Sequence, residues 1–177
     1  LTYDDLWRTW VARDTDLALL DARRDARTEY DEVLAAAGEW QLSRPVRDAM
    51  RAWRFDQART MLGDAKTILG QRAAIATGAA GAALTVPDTL RTAFESPDGF
   101  ATATLEATAE LAAIDGYDAA VAARQTSVDT IEAIGLWGTN PEGDLDQART
   151  LFASGDIAGS AGASAAAQSA WTGAAAA

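Results

Sequence analysis

The sequence predicts an all-α fold, an antiparallel multi-helix bundle of seven or eight helices, with tetratricopeptide-like helical hairpins as a local variant. Three observations lead there. Apolar residues recur at three- and four-residue intervals over nearly the whole chain, and strict alternation is rare. Alanine, the least costly residue in a helix, makes up about a quarter of the 177 residues. Proline, glycine and capping residues then divide the pattern into helices with short connections.

Taken in order, Thr2-Tyr3-Asp4-Asp5 reads as a cap followed by acids in a first turn, leading into the stripe Leu6, Trp7, Trp10 and Val11. Leu19, Ala22, Ala26, Tyr30, Val33 and Ala37 hold helical spacing up to a stop at Gly38. The alanines of that stripe let a neighbouring helix come close. Ser43-Arg44-Pro45 restarts the helix, with proline in the first turn where no N–H is needed. Val46, Met50 and Trp53 share its face. Phe55, Ala58, Leu62, Ala65, Ile68, Leu69 and Ala73 continue the pattern, which leaves a bend near Arg54 undecided. Gly78 and Gly81 are expected to fray this helix, and Thr85-Val86-Pro87-Asp88 opens a short one over 89–95.

Ser96-Pro97-Asp98 is a further start signal, followed by the seam Phe100, Ala107, Leu111, Ile114 and Val121. Val128, Ile131, Ile134 and Leu136 predict a short helix stopped by Gly135 and Gly138. Asn140-Pro141-Glu142 reads as cap, first helical residue and dipole-complementing acid. Leu145, Ala148, Leu151 and Phe152 follow, and Ser154-Gly155-Asp156 turns the chain into a last helix ending near Trp171. The length suits one domain, 1–177, with a core including Leu20, Val33, Val46, Trp53, Leu62, Leu69, Leu111, Ile114 and Phe152.

Composition removes several chemistries. Without cysteine there are no disulfides or thiolate sites, and without histidine no Ser-His dyad, imidazole ligand or near-neutral imidazole switch. Catalytic, cofactor and metal residues are therefore expected to be none. Net charge is −11: residues 1–72 hold 13 acidic and 12 basic side chains, whereas residues 73–177 hold 13 and 3. Such a surface repels nucleic acid and anionic lipid, so the expected partner is a protein, a peptide or a flanking domain of the same chain. Residues 73–84 are too short and too glycine-rich to insert in a membrane. Beginning at Leu1 and ending in alanines, the sequence reads as a fragment of something longer.

Acid pairs at helical spacing occur at Asp21/Asp25, Glu106/Glu110 and Asp115/Asp118. Paired acids run glycoside hydrolysis or hold two metals, but di-metal bundles add a Glu-x-x-His element that is impossible here. Asp21 and Asp25 alternate with Arg23, Arg24 and Arg27, the mark of an exposed ion-pair face. Asn140, Glu142, Asp144 and Asp146 imitate a calcium loop, yet Leu145 and Leu151 stand where glycine and glutamate are required. The glycines lie near hydroxyls, but no strand or Gly-Lys-Ser/Thr accompanies them, so a phosphate loop is unsupported. Gly159, Ala163, Ala167 and Trp171 form a small-residue stripe suited to close helix packing.

Of six tryptophans, Trp53 and Trp137 sit in apolar patterns and are assigned to the core. Trp7, Trp10, Trp40 and Trp171 are the candidate interface residues. One echo stands out: residues 56–62, Asp-Gln-Ala-Arg-Thr-Met-Leu, return as residues 146–152, Asp-Gln-Ala-Arg-Thr-Leu-Phe. The second copy runs into a Gly-Asp turn, as in a tetratricopeptide-like hairpin, although no regular period supports an array.

The stretches Leu19-Leu20-Asp21-Ala22-Arg23, Trp53-Arg54-Phe55-Asp56, residues 134–138 (Ile-Gly-Leu-Trp-Gly), residues 141–145 (Pro-Glu-Gly-Asp-Leu) and Trp171-Thr172-Gly173-Ala174 together carry a resemblance. They resemble helical regions near the C-terminus of exported, membrane-anchored proteins of high-GC bacteria, some with aminopeptidase-like metalloenzyme domains upstream. The resemblance implies an extracytoplasmic accessory module between an enzyme and an anchor, any activity lying outside this chain. It transfers no catalytic residue, because the zinc-binding His-Glu-x-x-His helix is absent here. A non-catalytic interaction or spacer module is the expected function. A peptide-binding tetratricopeptide-like scaffold is the alternative, and a carboxylate-only hydrolase the third reading.

Overall fold

The computed structural model describes residues 2, 5–6, 14–126, 136 and 138–175. Among them are seven helices and no strand: α1 (Asp14–Ala37), α2 (Arg44–Arg51), α3 (Phe55–Gly81), α4 (Thr89–Glu95), α5 (Ala101–Thr126), α6 (Pro141–Ser154) and α7 (Ile157–Ala175). The fold is the all-α one expected. The short helix read between Val128 and Leu136 falls outside the described residues, apart from Leu136 itself. Packing separates the chain into two compact units, the first Leu1–Leu69 with Phe94–Thr102, the second Gly70–Ala93 with Ala103–Ala177. Helices α3, α4 and α5 each contribute to both.

In the first unit small residues line the contact faces. Ala26, Val33 and Ala37 of α1, Val46 and Ala49 of α2, and Ala58, Leu62 and Ala65 of α3 are all fully buried. Two ion pairs cross from α1 to α3, Glu29 to Arg59 at 2.9 Å and Glu32 to Lys66 at 2.7 Å. Exposed pairs of this kind add little stability, but their order along the two helices has α1 and α3 running side by side in the same direction. Trp40, Phe94 and Phe100 pack in succession, with ring centroids 5.3 and 4.9 Å apart. Around them the Gln41 N–H donates to Glu95 Oε1 at 3.0 Å, and Ser43 Oγ donates to the Ser96 carbonyl at 2.8 Å. Ser43 precedes α2 as expected, with Pro45 in the first turn, but its hydroxyl caps nothing because Ser96 has taken it.

Three helices close with the same pair of reversed backbone hydrogen bonds, in which one left-handed residue lets the next N–H reach back five residues. After α2, Arg54 N–H bonds the Ala49 carbonyl at 3.0 Å and Trp53 takes φ +60°. The chain therefore breaks before Arg54 rather than bending through it. After α3, Leu84 N–H bonds the Ala79 carbonyl at 2.8 Å and Ala83 takes φ +53°. After α6, Asp156 N–H bonds the Leu151 carbonyl at 2.9 Å, and here the left-handed residue is Gly155, φ +85°. Only the last uses the residue for which that conformation carries no Cβ penalty.

The second unit corrects three expectations. Gly78 does not fray α3: the helix runs on to Gly81, and a Cβ at 78 would stand 3.1 Å from Ile114 Cγ2, so glycine marks close approach to α5. On α5, Leu111 is half-buried and its neighbour Glu110 is fully buried in line with Ala103, Ala107, Ile114 and Tyr117. Helices α6 and α7 form a hairpin, with Leu145, Ala148 and Phe152 buried on the former. The buried line of α7 is Ile157, Ser160, Ser164, Ala167, Trp171 and Ala174, so the packing stripe includes two serines and leaves Gly159 and Ala163 half-buried beside it. With small residues on every side of α7, the apolar pattern does not distinguish neighbouring faces.

The two kinds of left-handed cap give a paired test. Ala83→Gly removes about 1–2 kcal/mol of left-handed strain and adds about 0.4–1 kcal/mol of unfolded-chain freedom, so stability rises by about 0.5–1 kcal/mol. Gly155→Ala places a methyl group in the same conformation and 2.6 Å from Thr89 Cγ2. It therefore lowers stability by at least about 1 kcal/mol. Urea unfolding of the two variants measures both changes.

Candidate functional site

The structure redistributes the tryptophans. Trp53, expected in the core, is 52% exposed, because its left-handed backbone turns the side chain away from the α2 face it continues in sequence. Trp171, a candidate interface residue, is only 3% exposed and belongs to the packing line of α7. Trp40 is half-buried against Phe94. Trp7, Trp10 and Trp137 lie outside the described residues.

The paired acids do not converge. Asp21 and Asp25 both contact Arg24, at 3.2 and 3.4 Å. Asp115 and Asp118 are exposed, and among the described residues no group of three metal-capable side chains occurs. In the calcium-like run Asn140 accepts from the Gly143 N–H at 3.2 Å, as a helix cap does. Glu142 pairs with Arg124 at 2.9 Å.

The feature that does gather chemistry is a groove of about 370 Å³ in the first unit, between α1, α2 and the start of α3. Arg23 and Arg27 reach it from successive turns of α1, and Arg47 and Arg51 from successive turns of α2, while Tyr30, Met50 and Phe55 supply apolar surface. Asp31 is the single carboxylate in the lining. The neighbouring acids of α1 are engaged elsewhere: Asp21 and Asp25 with Arg24, Glu29 with Arg59, and Glu32 with Lys66. Arg27, Arg47 and Arg51 make no ion pair among the described residues, and Arg23 lies 5.2 Å over the Trp53 ring instead. Trp53 also packs on Phe55, centroids 5.6 Å apart, and the two rings border an adjoining concavity of about 330 Å³ toward Leu19 and Ala22. The aromatic edge and the arginine groove therefore form one continuous surface. Sequence reasoning missed it by reading Arg23, Arg24 and Arg27 as one ion-pair face, when only Arg24 is paired with Asp21 and Asp25. The available signal was basic residues four apart, twice, on helices joined by a short turn.

A second group sits in the other unit. Glu110 is fully buried, accepts from Thr89 Oγ1 at 3.0 Å through Oε1, and has no partner for Oε2 among the described residues. Burial pushes its carboxyl up to about 7, against the opposing hydrogen bond from Thr89 and with help from Glu106 one turn away. It borders none of the concavities described above.

No family model matches this chain, and no curated protein or solved structure is similar to it.

Glu110 sets a pH dependence whose sign follows from its raised value. In the unfolded chain the carboxyl ionises near 4.5, whereas in the fold it holds its proton up to about 7. Its contribution to stability is present in acid and is lost as pH rises through that window, by about 3 kcal/mol in all. Relative to Glu110→Gln, the native chain should lose stability between pH 4.5 and 7 and level off above. Urea unfolding of both proteins across this range reads the difference, and parallel curves would show that the carboxyl is charged in the fold.

Proposed function

We propose that this chain is a non-catalytic interaction module, which holds a segment of a partner protein, or of a flanking domain of its own chain, on the first unit. Its main support is Trp53. A large aromatic ring half in solvent, held there by a left-handed backbone that costs about 1–2 kcal/mol, is a feature that stability alone does not favour. Tryptophan and arginine are also among the residues most enriched at the energetic hot spots of protein interfaces. The helical hairpins then act as a rigid support, as in a peptide-binding scaffold of tetratricopeptide type, without a repeated array. The resemblance to C-terminal regions of exported proteins adds an extracytoplasmic setting to this proposal, with the enzyme and the anchor supplied by other parts of a longer chain. Nucleic acid and membrane lipid are not the partners proposed, given a net charge of −11 and, among the described residues, no helix long and apolar enough to cross a membrane.

Trp53→Gly separates interaction from folding. Glycine tolerates the left-handed conformation, so the variant should keep its helix content and its stability within about 1 kcal/mol. A phage-displayed library of random peptides panned on the native chain should enrich sequences that bind it, and these should bind Trp53→Gly about thirtyfold more weakly, the loss of one interface anchor. Enriched peptides that bind both proteins equally would exclude Trp53 from the interface.

A further inference from the structure

We infer that the groove between α1 and α2 selects an acidic peptide segment, with carboxylates held by Arg23 and Arg27 on one wall and by Arg47 and Arg51 on the other, around an apolar side chain seated on Met50 and Phe55. This deepens the interaction-module reading and rests on it. The first observation is electrostatic. Among the described residues lining the groove, four guanidinium groups face one carboxylate, Asp31. Asp5 borders the adjoining cavity beside Arg23 and Arg27, and the acids nearest in sequence on α1 are committed to Arg24, Arg59 and Lys66. Like charges so gathered repel in the free protein, and a bound anion removes that repulsion. Arginine in particular offers a planar fork that meets a carboxylate through two parallel hydrogen bonds.

The second observation is the apolar lining. A lone inorganic anion makes no use of Tyr30, Met50 and Phe55, whereas a peptide carrying a leucine or similar residue between its acids uses all three. The third is the charge of the chain as a whole. At −11 it repels a long polyanion, whose phosphates would extend beyond the groove, while a short acidic segment keeps its charge among the arginines. Placing two basic residues four apart on each of two short-linked helices fixes both walls from one local stretch, 23–51, so the groove needs nothing from the second unit.

The test uses the full chain and a fluorescent synthetic peptide in which leucine is flanked on each side by two glutamates. This peptide should bind, and its glutamine counterpart should bind at least a hundredfold more weakly. Arg27→Gln and Arg51→Gln should each weaken the acidic peptide about tenfold or more, the loss of one charge-assisted fork, with helix content unchanged. Arg44→Gln, which removes a pair with Asp48 outside the groove, should leave affinity as it was. Raising salt from 0.05 to about 0.5 M should weaken binding further. Equal binding of the two peptides, no binding of the acidic one, or no loss in either groove variant would overturn the inference. So would a mixed-sequence oligonucleotide, inorganic phosphate or a second copy of the chain that occupies the same arginines more tightly than the peptide. If the displayed library instead enriches Trp53-dependent peptides lacking acids, the acidic selection fails while the interaction module stands.

Discussion

Small side chains on the contact faces oblige these helices to pack with their backbones close together. Ala26, Ala58, Ala65, Ala107 and Ala148 are each completely buried, and Gly78 lets α3 approach Ile114 where even a methyl group would be tight. Close approach gains many short dispersion contacts. Large side chains are buried among the small ones as well, with Phe94, Phe100 and Phe152 no more than 1% exposed. Trp40, Phe94 and Phe100 pack ring against ring in the first unit, whereas Trp53 stands outside on its left-handed backbone.

Helix type and order were legible in the sequence because they depend on local signals. The caps at Asn140 and Asp156, the prolines at 45 and 141 and the left-handed glycines at 38 and 155 all appear where composition puts them. What the pattern did not resolve was which of two adjacent residues faces inward. Glu110 took the place expected of Leu111: its side chain reaches Thr89, and burial raises its carboxyl toward neutral pH. Ser160 and Ser164 took the packing line on α7 because small residues surround them on every side. Trp53 was misplaced for a third reason: a single left-handed residue reverses the direction of a side chain, and a helical periodicity carries no sign of it.

The repeated heptapeptide shows the same rule in favourable form. In both copies the alanine and the residue four later are buried to the same extent, Ala58 with Leu62 and Ala148 with Phe152. The intervening arginine reaches a neighbouring helix each time, Arg59 to Glu29 and Arg149 to the Tyr117 hydroxyl at 2.7 Å. One phrase of sequence thus yields one local arrangement in two settings. Only its surroundings differ: the first copy continues through a long helix, and the second stops at Gly155. The groove itself was less legible, because it depends on which acids are already taken by other cations, a property of three helices together rather than of any one stretch.

Asp156 occupies a hinge of unusual economy. Its backbone N–H closes α6, while its side chain accepts the Gly159 N–H at 2.9 Å and its carbonyl the Ser160 N–H, so one residue ends one helix and begins the next. Everything this turn needs lies within a few positions of it, and the faces it brings together, Leu145, Ala148 and Phe152 against the buried line of α7, are separated by a short loop. Contacts so near in sequence form on the fastest timescale open to a chain, because little loop entropy is lost in making them. The α6–α7 hairpin is accordingly suited to assemble early in refolding and to offer α5 a preformed surface. Although it lies at the C-terminal side of the sequence, this hairpin is placed to nucleate the second unit, to which it belongs.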